Sequence, residues 1–548
     1  MQTYEQKTSD LVRNGEHARA WERHCGFLGL NIDDFMQIQW RLLQEQFSIA
    51  GQGRLWQTLF PQTATLKSVE AFREAVPLTQ YADYADLLAG KPDDILGRPI
   101  VAWARSSGRG GQPKWAPYTR EGYHQLGVSS VASHILSAAR GRGDINVRPN
   151  DVVALNLPAR PYLSGIAIRA AADMFDFRFL PDLDISEQLG FQERIAHVFK
   201  HAMVEGIDIL GSMTIVLVKM GEQFENREKQ KRQLSMQMLD PRVLWRYVRA
   251  RGKARRDGRN YLLPRDLWQP RGLMCGGTDT SQYREQVRRY WGVYPHETYA
   301  CTEVGFIATQ AWDHQEMTFI PYSAFFEFIP AEDWAVERLE GRKPSRTLLL
   351  HELEVGKRYE VVVSSFYGGP FLRYRLNDLV EISSMGNVGQ PNGITLPQFH
   401  FVGRSGDFID LSGFAGLIDE KQLTIALKEA HINLIDWVVC KEQHEHESVL
   451  HLYVELKPNG DAGAPMSETD IRDGVHRQLK RVNTDYGNIE SMLGFIPLTV
   501  TVLPTGAFGR YTDYQATHGA DLAHLKPMHI QPGQKSLDLL LQSPVPNS

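Results

Sequence analysis

Cysteine is scarce in this 548-residue sequence: Cys25, Cys275, Cys301 and Cys440 lie far apart, with no CxxC spacing. That excludes a disulfide framework and a CxxC-paired zinc or redox motif, and it indicates free thiols in a reducing compartment. Long apolar runs are missing too. None approaches the roughly 18–20 residues of a membrane-spanning helix, and the run 213–218 is far too short. The first 25 residues, polar and mixed in charge, contain no apolar core or cleavage site of a signal peptide. The expectation is a cytoplasmic protein with no membrane partner. Neither sign of charge dominates: 60 Lys and Arg against 65 Asp and Glu leave a formal net charge of -5, which gives no general affinity for nucleic acid. A Walker GxxxxGK[ST] loop, a complete HExxH (His351-Glu352 lacks the second His), a placeable Ser/His/Asp or Cys/His triad, internal repeats and low-complexity tracts are all absent.

What is present is ordinary globular material, with 42% hydrophobic, 10% aromatic and 23% charged residues. At 548 residues the chain exceeds what one core supports, so two or more domains are expected. Asn31 ahead of Asp33 and Asp34 marks a helix start, and Phe35, Trp40, Leu42, Leu43 and Phe47 continue it as a helical stripe. Helical pieces over 68–75 and 81–89, broken at Pro77, lead to a strand at 99–103. From Asp151, strands at 152–155, 178–180 and 273–275 alternate with helices near 167–174, 185–203 and 283–290, the rhythm of a mostly parallel α/β sheet. Segments 326–329, 347–350, 359–364 and 379–382 read as a smaller antiparallel sheet. After Arg404 the pattern resets to helix 420–430, strands 437–440 and 449–456, helix 469–481 and strand 498–503, an α+β unit with its own core.

The chemistry gathers first at Ser106-Ser107-Gly108-Arg109-Gly110-Gly111-Gln112-Pro113-Lys114, a loop at a strand exit. Its glycines free backbone N–H groups to turn inward, its serines add donors, and Lys114 supplies a compact positive charge, all suited to a phosphate chain. Far along the chain, Tyr299-Ala300-Cys301-Thr302-Glu303 sets a hydroxyl beside a carboxylate. Tyr374-Arg375-Leu376-Asn377-Asp378 places an Asp after an aromatic run, and Gly403-Arg404 follows.

In this order and spacing the set resembles the adenylate-forming (ANL) superfamily, with its SSGTTGxPK-like loop, Y-x-x-[ST]-E, Y-R-x-G-D and G-R segments. Further runs narrow the likeness: Phe325-Phe326-Glu327-Phe328-Ile329-Pro330, 354–360, Pro397-Gln398-Phe399, and the tail from Gly506-Ala507-Phe508 to Lys526-Pro527. They are similar to the auxin-responsive (Gretchen Hagen) acyl acid amido synthetases over nearly the whole chain. The resemblance implies a large N-terminal adenylate-forming α/β domain with a β-barrel-like subdomain, residues 1–404, and a smaller mobile α+β domain, residues 405–548. It also implies ATP and Mg²⁺, a small carboxylic acid and an amino acid or other amine as substrates, and an acyl adenylate between them.

The roles it implies are specific. Ser106, Ser107, Gly108, Arg109, Gly110 and Lys114 would wrap the β- and γ-phosphates. Arg109 stands where Thr or Ser is usual; its guanidinium could grip a phosphate, or its bulk could block the loop. Glu303 would bind Mg²⁺, Thr302 the α-phosphate, and Tyr299 with Ala300 would lie near the adenine, beside the turn at Gly276 and Gly277. Asp378 would accept from both ribose hydroxyls, and Asn377, in a glycine position, tolerates positive φ. Arg404 would reach ribose or phosphate, the segment 403–407 would be the pivot, and Lys526 would arrive from the small domain to bridge carboxylate and α-phosphate.

Two alternatives stay open: an acyl- or aryl-CoA ligase sharing the adenylation step, and a nucleotide-binding pseudoenzyme, for which Arg109 and Asn377 are the motive. Leu157, Arg160 and Tyr162, after a strand end, are read as lining the acyl site. The six basic residues against one Asp in 249–259 read as a solvated helix end. His444, His446 and His451 with Glu445 and Glu447 read as a polar hairpin loop, not a metal site.

Overall fold

One hydrogen-bonded sheet organises the chain up to Arg404. The computed structural model describes residues 6–106, 114–226, 240–276, 280–333, 337, 346–386, 393–404, 408–410, 417–444, 447–458, 466–483, 486–487, 496–517 and 526–542. A hairpin comes first, β1 (Ile100–Arg105) with β2 (Trp115–Thr119). Strands β3 (Val152–Asn156), β4 (Arg178–Leu180), β5 (Ile209–Met213), β6 (Gly272–Gly276) and β7 (Pro295–Cys301) then pair in parallel in the order β4-β3-β5-β6-β7. Every residue of β3 is buried, as a parallel strand covered on both faces requires.

The expected separate antiparallel sheet is instead a continuation of this one. β7 pairs in parallel with β6 and antiparallel with β8 (Gly305–Gln310), so it belongs to both halves. Beyond β8 come β9 (Met317–Phe319), then β13 (Gln398–Arg404), β12 (Tyr374–Ser384), β11 (Arg358–Ser365) and β10 (Ala324–Pro330), eleven strands in all among the described residues. The β9–β13 contact is only two pairs long, and a stacked Phe319–Phe399 pair, 4.2 Å between centroids, braces it.

Helices cover the sheet. In α1 (Ile32–Ala50) the Asn31 side chain accepts from Asp34 N at 2.8 Å, and Phe35, Leu42, Leu43 and Phe47 are buried. α2 (Arg120–Ala138) is capped by Thr119 and packs on α3 (Leu163–Met174) so closely that a Cβ on Gly127 would lie 2.7 Å from the Ala170 carbonyl oxygen. The helix expected over 185–203 breaks into Leu183–Gln188 and Phe191–Glu205, interrupted at Leu189 and Gly190. The strand expected over 347–350 is an isolated bridge from Leu348 to Phe328 followed by a 3₁₀ turn, Leu350–Glu352. The helix Pro241–Arg256 ends in the exposed Arg255 and Arg256, as the charge pattern indicates, whereas Arg259 beyond it is largely buried against Asp266.

After Arg404, β14 (Phe408–Asp410) and β15 (Leu417–Asp419) pair, and β16 (Leu434–His444), β17 (Glu447–Leu456) and β18 (Leu498–Val502) form a second sheet. Helices Glu420–Glu429 and Glu468–Val482 share one core with it, and Ala507–Thr517 and Gln534–Leu541 share another. The apolar clusters up to Phe401 and Val402 and those from Ile409 onward have no member in common. His451 does not lie in the β16–β17 turn: it sits on β17 and bonds to Glu442 and Thr501, while 445–446 lie outside the described residues. No group of three or more metal-ligating side chains occurs among the described residues, and no described helix is long and apolar enough to cross a membrane.

Candidate functional site

The base of the glycine-rich loop is closed by its own ends. Ser106 N donates to Lys114 O at 2.9 Å and Lys114 N donates to Ser106 Oγ at 3.0 Å, which extends the β1–β2 pairing one step outward. Ser107, Gly108, Arg109 and Gly110, between these ends, lie outside the described residues, as does Gly277. The Lys114 ammonium stands 5.4 Å from the Tyr81 ring centroid and donates to Tyr374 Oη at 3.2 Å. Tyr374 Oη in turn donates to Glu303 Oε1 at 2.8 Å. Three residues from three distant parts of the chain therefore form one hydrogen-bonded line. Burial, and then the charge of Glu303, push the Tyr374 phenol far above its ordinary range, so it remains a donor.

Glu303 is held by the tight connection between β7 and β8. Gly305 turns that corner at φ +85, where an L side chain is strained, and a Cβ there would lie 3.1 Å from Leu126 of α2. Tyr118 on β2 donates to the Thr302 carbonyl at 2.9 Å. Gly276 and Cys301 end the neighbouring strands β6 and β7, so Gly276, Ala300 and Thr302 lie at the carboxyl edge of the parallel half, where α/β sheets bind their ligands.

Asp378 owes its position to a bulge. Between the pairs Val362–Arg375 and Glu360–Leu379, β12 advances four residues while β11 advances two. Asn377 lies inside that excess at φ +59, the conformation for which the related motif uses glycine. Asp378, almost fully buried, accepts from Tyr299 Oη at 2.7 Å, and the Tyr299 ring rests edge-on against Phe401, 5.7 Å between centroids. Asp378 is the cross-strand partner of Arg404; the Arg404 side chain is outside the described part. Burial, then Glu303 and more weakly Asp378, raise the Cys301 thiol well above its usual range. One sulfur therefore feels both carboxylates.

β12 itself is clamped from behind. Arg373 and Arg375 turn to the opposite face from Tyr374 and pair with the buried Glu327 and Glu360, at 3.0 and 2.7 Å. Arg373 also donates to the carbonyls of Arg73 and Val76, and Thr79 exchanges backbone bonds with Arg373 and Arg375. The N-terminal helical layer thus fixes the strand that presents Tyr374.

A cleft of about 430 Å³, counting its open mouth, adjoins Glu303. Tyr118, Gln125, Leu126, Ser129, Ser323 and Tyr367 contribute to its lining, and Leu157, Arg160 and Tyr162 do not. Arg160 instead forks onto Glu187 at 2.6 and 2.8 Å, and this pairing, first among its causes, holds the Glu187 carboxyl at about 2. Lys526 is likewise engaged elsewhere. Its ammonium donates to Asp436 at 2.7 Å, Asp436 also accepts from His529 at 2.8 Å, and His529 bonds to Glu420. No hydrogen bond or ion pair among the described residues joins Lys526 to the Lys114–Tyr374–Glu303 line.

With this geometry in view, comparison with known proteins is decisive for kinship. Residues 32–171 match the GH3 family N-terminal domain, 317–404 the GH3 family central domain and 420–535 the GH3 family C-terminal domain. The chain belongs to the GH3 family. Its curated relatives include the indole-3-acetic acid-amido synthetase GH3.3 of Arabidopsis thaliana, 25% identical over 38% of this chain and 33% of that protein. Another is the jasmonoyl--L-amino acid synthetase GH3.5 of Oryza sativa subsp. japonica, 25% identical over 50% of this chain and 48% of that protein. The matched stretch thus spans between a third and a half of these relatives' length. Among solved structures, the acyl acid amido synthetase GH3.15 in complex with 2,4-DB superposes with a TM-score of 0.63 at 18% identity, covering 92% of this chain and 93% of that one. A 2-hydroxyisobutyryl-CoA ligase superposes with a TM-score of 0.56 at 13% identity, covering 88% of each. The fold is that of adenylate-forming ligases.

Within this GH3 fold, two of the residues singled out from the sequence, Lys114 and Glu303, meet through Tyr374, and two others, Tyr299 and Asp378, bond to each other. Tyr374 takes this place although the sequence points to the Tyr-Arg-x-x-Asp segment for its aspartate alone. Its signal is the tyrosine four residues ahead of Asp378. Gln125 and Ser129 carry no sequence signal of their own.

Proposed function

We propose that this GH3 chain is an ATP-dependent ligase that adenylates a small carboxylic acid and passes the acyl group to an amine, foremost an amino acid. The observation that carries the proposal is the line Lys114–Tyr374–Glu303, whose Glu303 lines the cleft, together with the Tyr299–Asp378 pair. A free carboxylate is a poor acyl donor because oxide would have to leave. In the first step a carboxylate oxygen attacks the α-phosphorus of ATP, and the bond to pyrophosphate breaks with its electrons leaving on pyrophosphate. In the second the amine nitrogen attacks the acyl carbon, loses a proton, and AMP departs. Positioning and electrostatics supply most of the catalysis.

Lys114, Ser106 and the loop 107–110 neutralise the departing phosphates, with Tyr374 fixing the ammonium of Lys114. Thr302 bonds the α-phosphate. Asp378, steadied by Tyr299, accepts from the ribose hydroxyls; Gly276, Gly277 and Ala300 flank the adenine, and Arg404 reaches ribose or phosphate. Glu303 fits a Mg²⁺ site: it is a hard oxygen donor beside the cleft, and its described side-chain partner, Tyr374, engages only Oε1. When bound, that ion would neutralise charge on the phosphate oxygens. The cleft takes the acid.

The same reading divides the chain at residues 404 and 405, supported by apolar clusters that do not cross this point. The unit 405–548 swings about 403–407 to deliver Lys526. Free cysteines support a reducing, cytoplasmic setting. The test is ATP–pyrophosphate exchange across a panel of acids, followed by amino acids or coenzyme A. Acid-dependent exchange and an amide product are expected. A thioester without amide overturns the choice of acceptor, and ATP binding without exchange for any acid overturns the ligase.

A further inference from the structure

Two cavities in this molecule share two side chains of α2, one of them weakly held. The first is the cleft beside Glu303. The second is a small one lined by the apolar Phe27, Val128, Ala132 and Ile320 together with Glu22, Arg23 and His24. Gln125 and Ser129, one turn apart on α2, line both. The turn 320–323 is shared as well, with Ile320 and Tyr322 in the second cavity and Ser323 in the first.

The two shared side chains are not held alike. Ser129 is 4% exposed, and its carbonyl accepts from Ser133 Oγ at 3.1 Å. Gln125 is only half-buried, and its one side-chain hydrogen bond among the described residues runs to Ser129 Oγ at 3.4 Å, the long limit for such a bond. A long unbranched side chain with so weak a hold changes rotamer at small cost. Part of the second cavity's lining, Phe27, Val128, Ala132 and Ile320, is hydrocarbon. Its histidine, His24, has both ring nitrogens engaged, by Thr8 Oγ1 at 2.8 Å and the Val128 carbonyl at 2.9 Å, and burial holds it neutral with a pKa of about 4. The cation in the lining, Arg23, is already engaged by the Gln6 carbonyl at 2.7 Å and Thr8 Oγ1 at 3.4 Å, and the apolar part of the lining suits an apolar tail.

We infer that the second cavity is the tail end of the acyl site and that Gln125 gates it, so that this chain accepts monocarboxylic acids whose apolar tails outrun the first cavity. This rests on the first cavity being the acyl site. The full chain and its Gln125→Ala and Gln125→Phe variants are titrated calorimetrically with straight-chain alkanoates from butanoate to decanoate, with ATP–pyrophosphate exchange run on the same acids. Gln125→Ala raises the ratio of decanoate to butanoate affinity about tenfold or more, the gain from burying about two further methylenes, and Gln125→Phe lowers it. Mere loosening of α2 would move both variants in the same direction and overturns the gate, as does an unchanged length profile. A shifted binding profile without exchange for any acid upholds the gate and rejects the ligase; exchange with an unshifted profile does the reverse.

Discussion

Tyr374 lies between a cation and an anion: its phenol accepts from Lys114 at 3.2 Å and donates to Glu303 at 2.8 Å. Tyr374→Phe keeps the ring and removes both bonds. Charge-assisted bonds of this kind are worth about 1.5–3 kcal/mol, so kcat/KM for ATP–pyrophosphate exchange should fall about 10- to 100-fold with the circular dichroism spectrum unchanged. A change below about twofold would remove Tyr374 from the phosphate side of the site.

Asp378→Asn retains the shape at the bulge and loses the charge. Its effect belongs on the nucleotide, with KM for ATP rising about tenfold or more and KM for the acid little moved. Tyr299→Phe, which keeps the ring and removes the bond steadying Asp378, should show the same pattern more weakly. Steady-state exchange with each substrate varied in turn checks both, and an acid KM that rises in step with that of ATP contradicts the ribose assignment.

Lys526 is bonded to Asp436 and, among the described residues, makes no bond to the Lys114–Tyr374–Glu303 line; it has to travel if it serves adenylation as proposed. Lys526→Ala should lower exchange about 100-fold or more, the scale of losing one well-placed electrostatic group. Amide formation from a supplied acyl adenylate should fall far less. Equal losses in the two half-reactions would assign Lys526 a structural place.

His529, between Asp436 and Glu420, sets a pH dependence of stability. Burial works against its charged form, yet the bonds to Asp436 and Glu420 outweigh it and raise its pKa to about 9. A pKa raised above the unfolded value of about 6.5 stabilises the fold fully below about pH 6.5, and that contribution is lost as pH rises through about 9. Urea unfolding of the wild type should lose stability on the order of 3 kcal/mol across that window relative to His529→Gln. Parallel pH profiles for the two proteins would show that His529 titrates normally.

Much of this was legible wherever a local rule governs. Asn31 and Ser68 cap the helices they announce, and the strand–helix alternation from Asp151 gives the parallel half. Lys114, Glu303 and Asp378 sit in short runs whose chemistry is visible in one dimension. The rest depends on non-local pairing. Nothing along the chain says that β13 returns to lie beside β9, so the antiparallel strands read as a sheet of their own. α2 escaped because Ser, Gly, Ala and Val are buried over most of its circumference, leaving no polar stripe to set a helical period. Its Gln125 and Ser129 therefore escaped too. Tyr374 stands in the same run as Asp378, but nothing local marks it, since its partners lie 260 and 71 residues away in sequence.

The strand β7 has a mechanical consequence. Through it the ladder carrying Glu303 and the ladder carrying Asp378 are knit into one fabric. Pulling Glu303 away from Asp378 would mean tearing interstrand bonds in series. The wall that carries both therefore behaves as a stiff anvil, and under the proposed function whatever moves during turnover must strike it from outside.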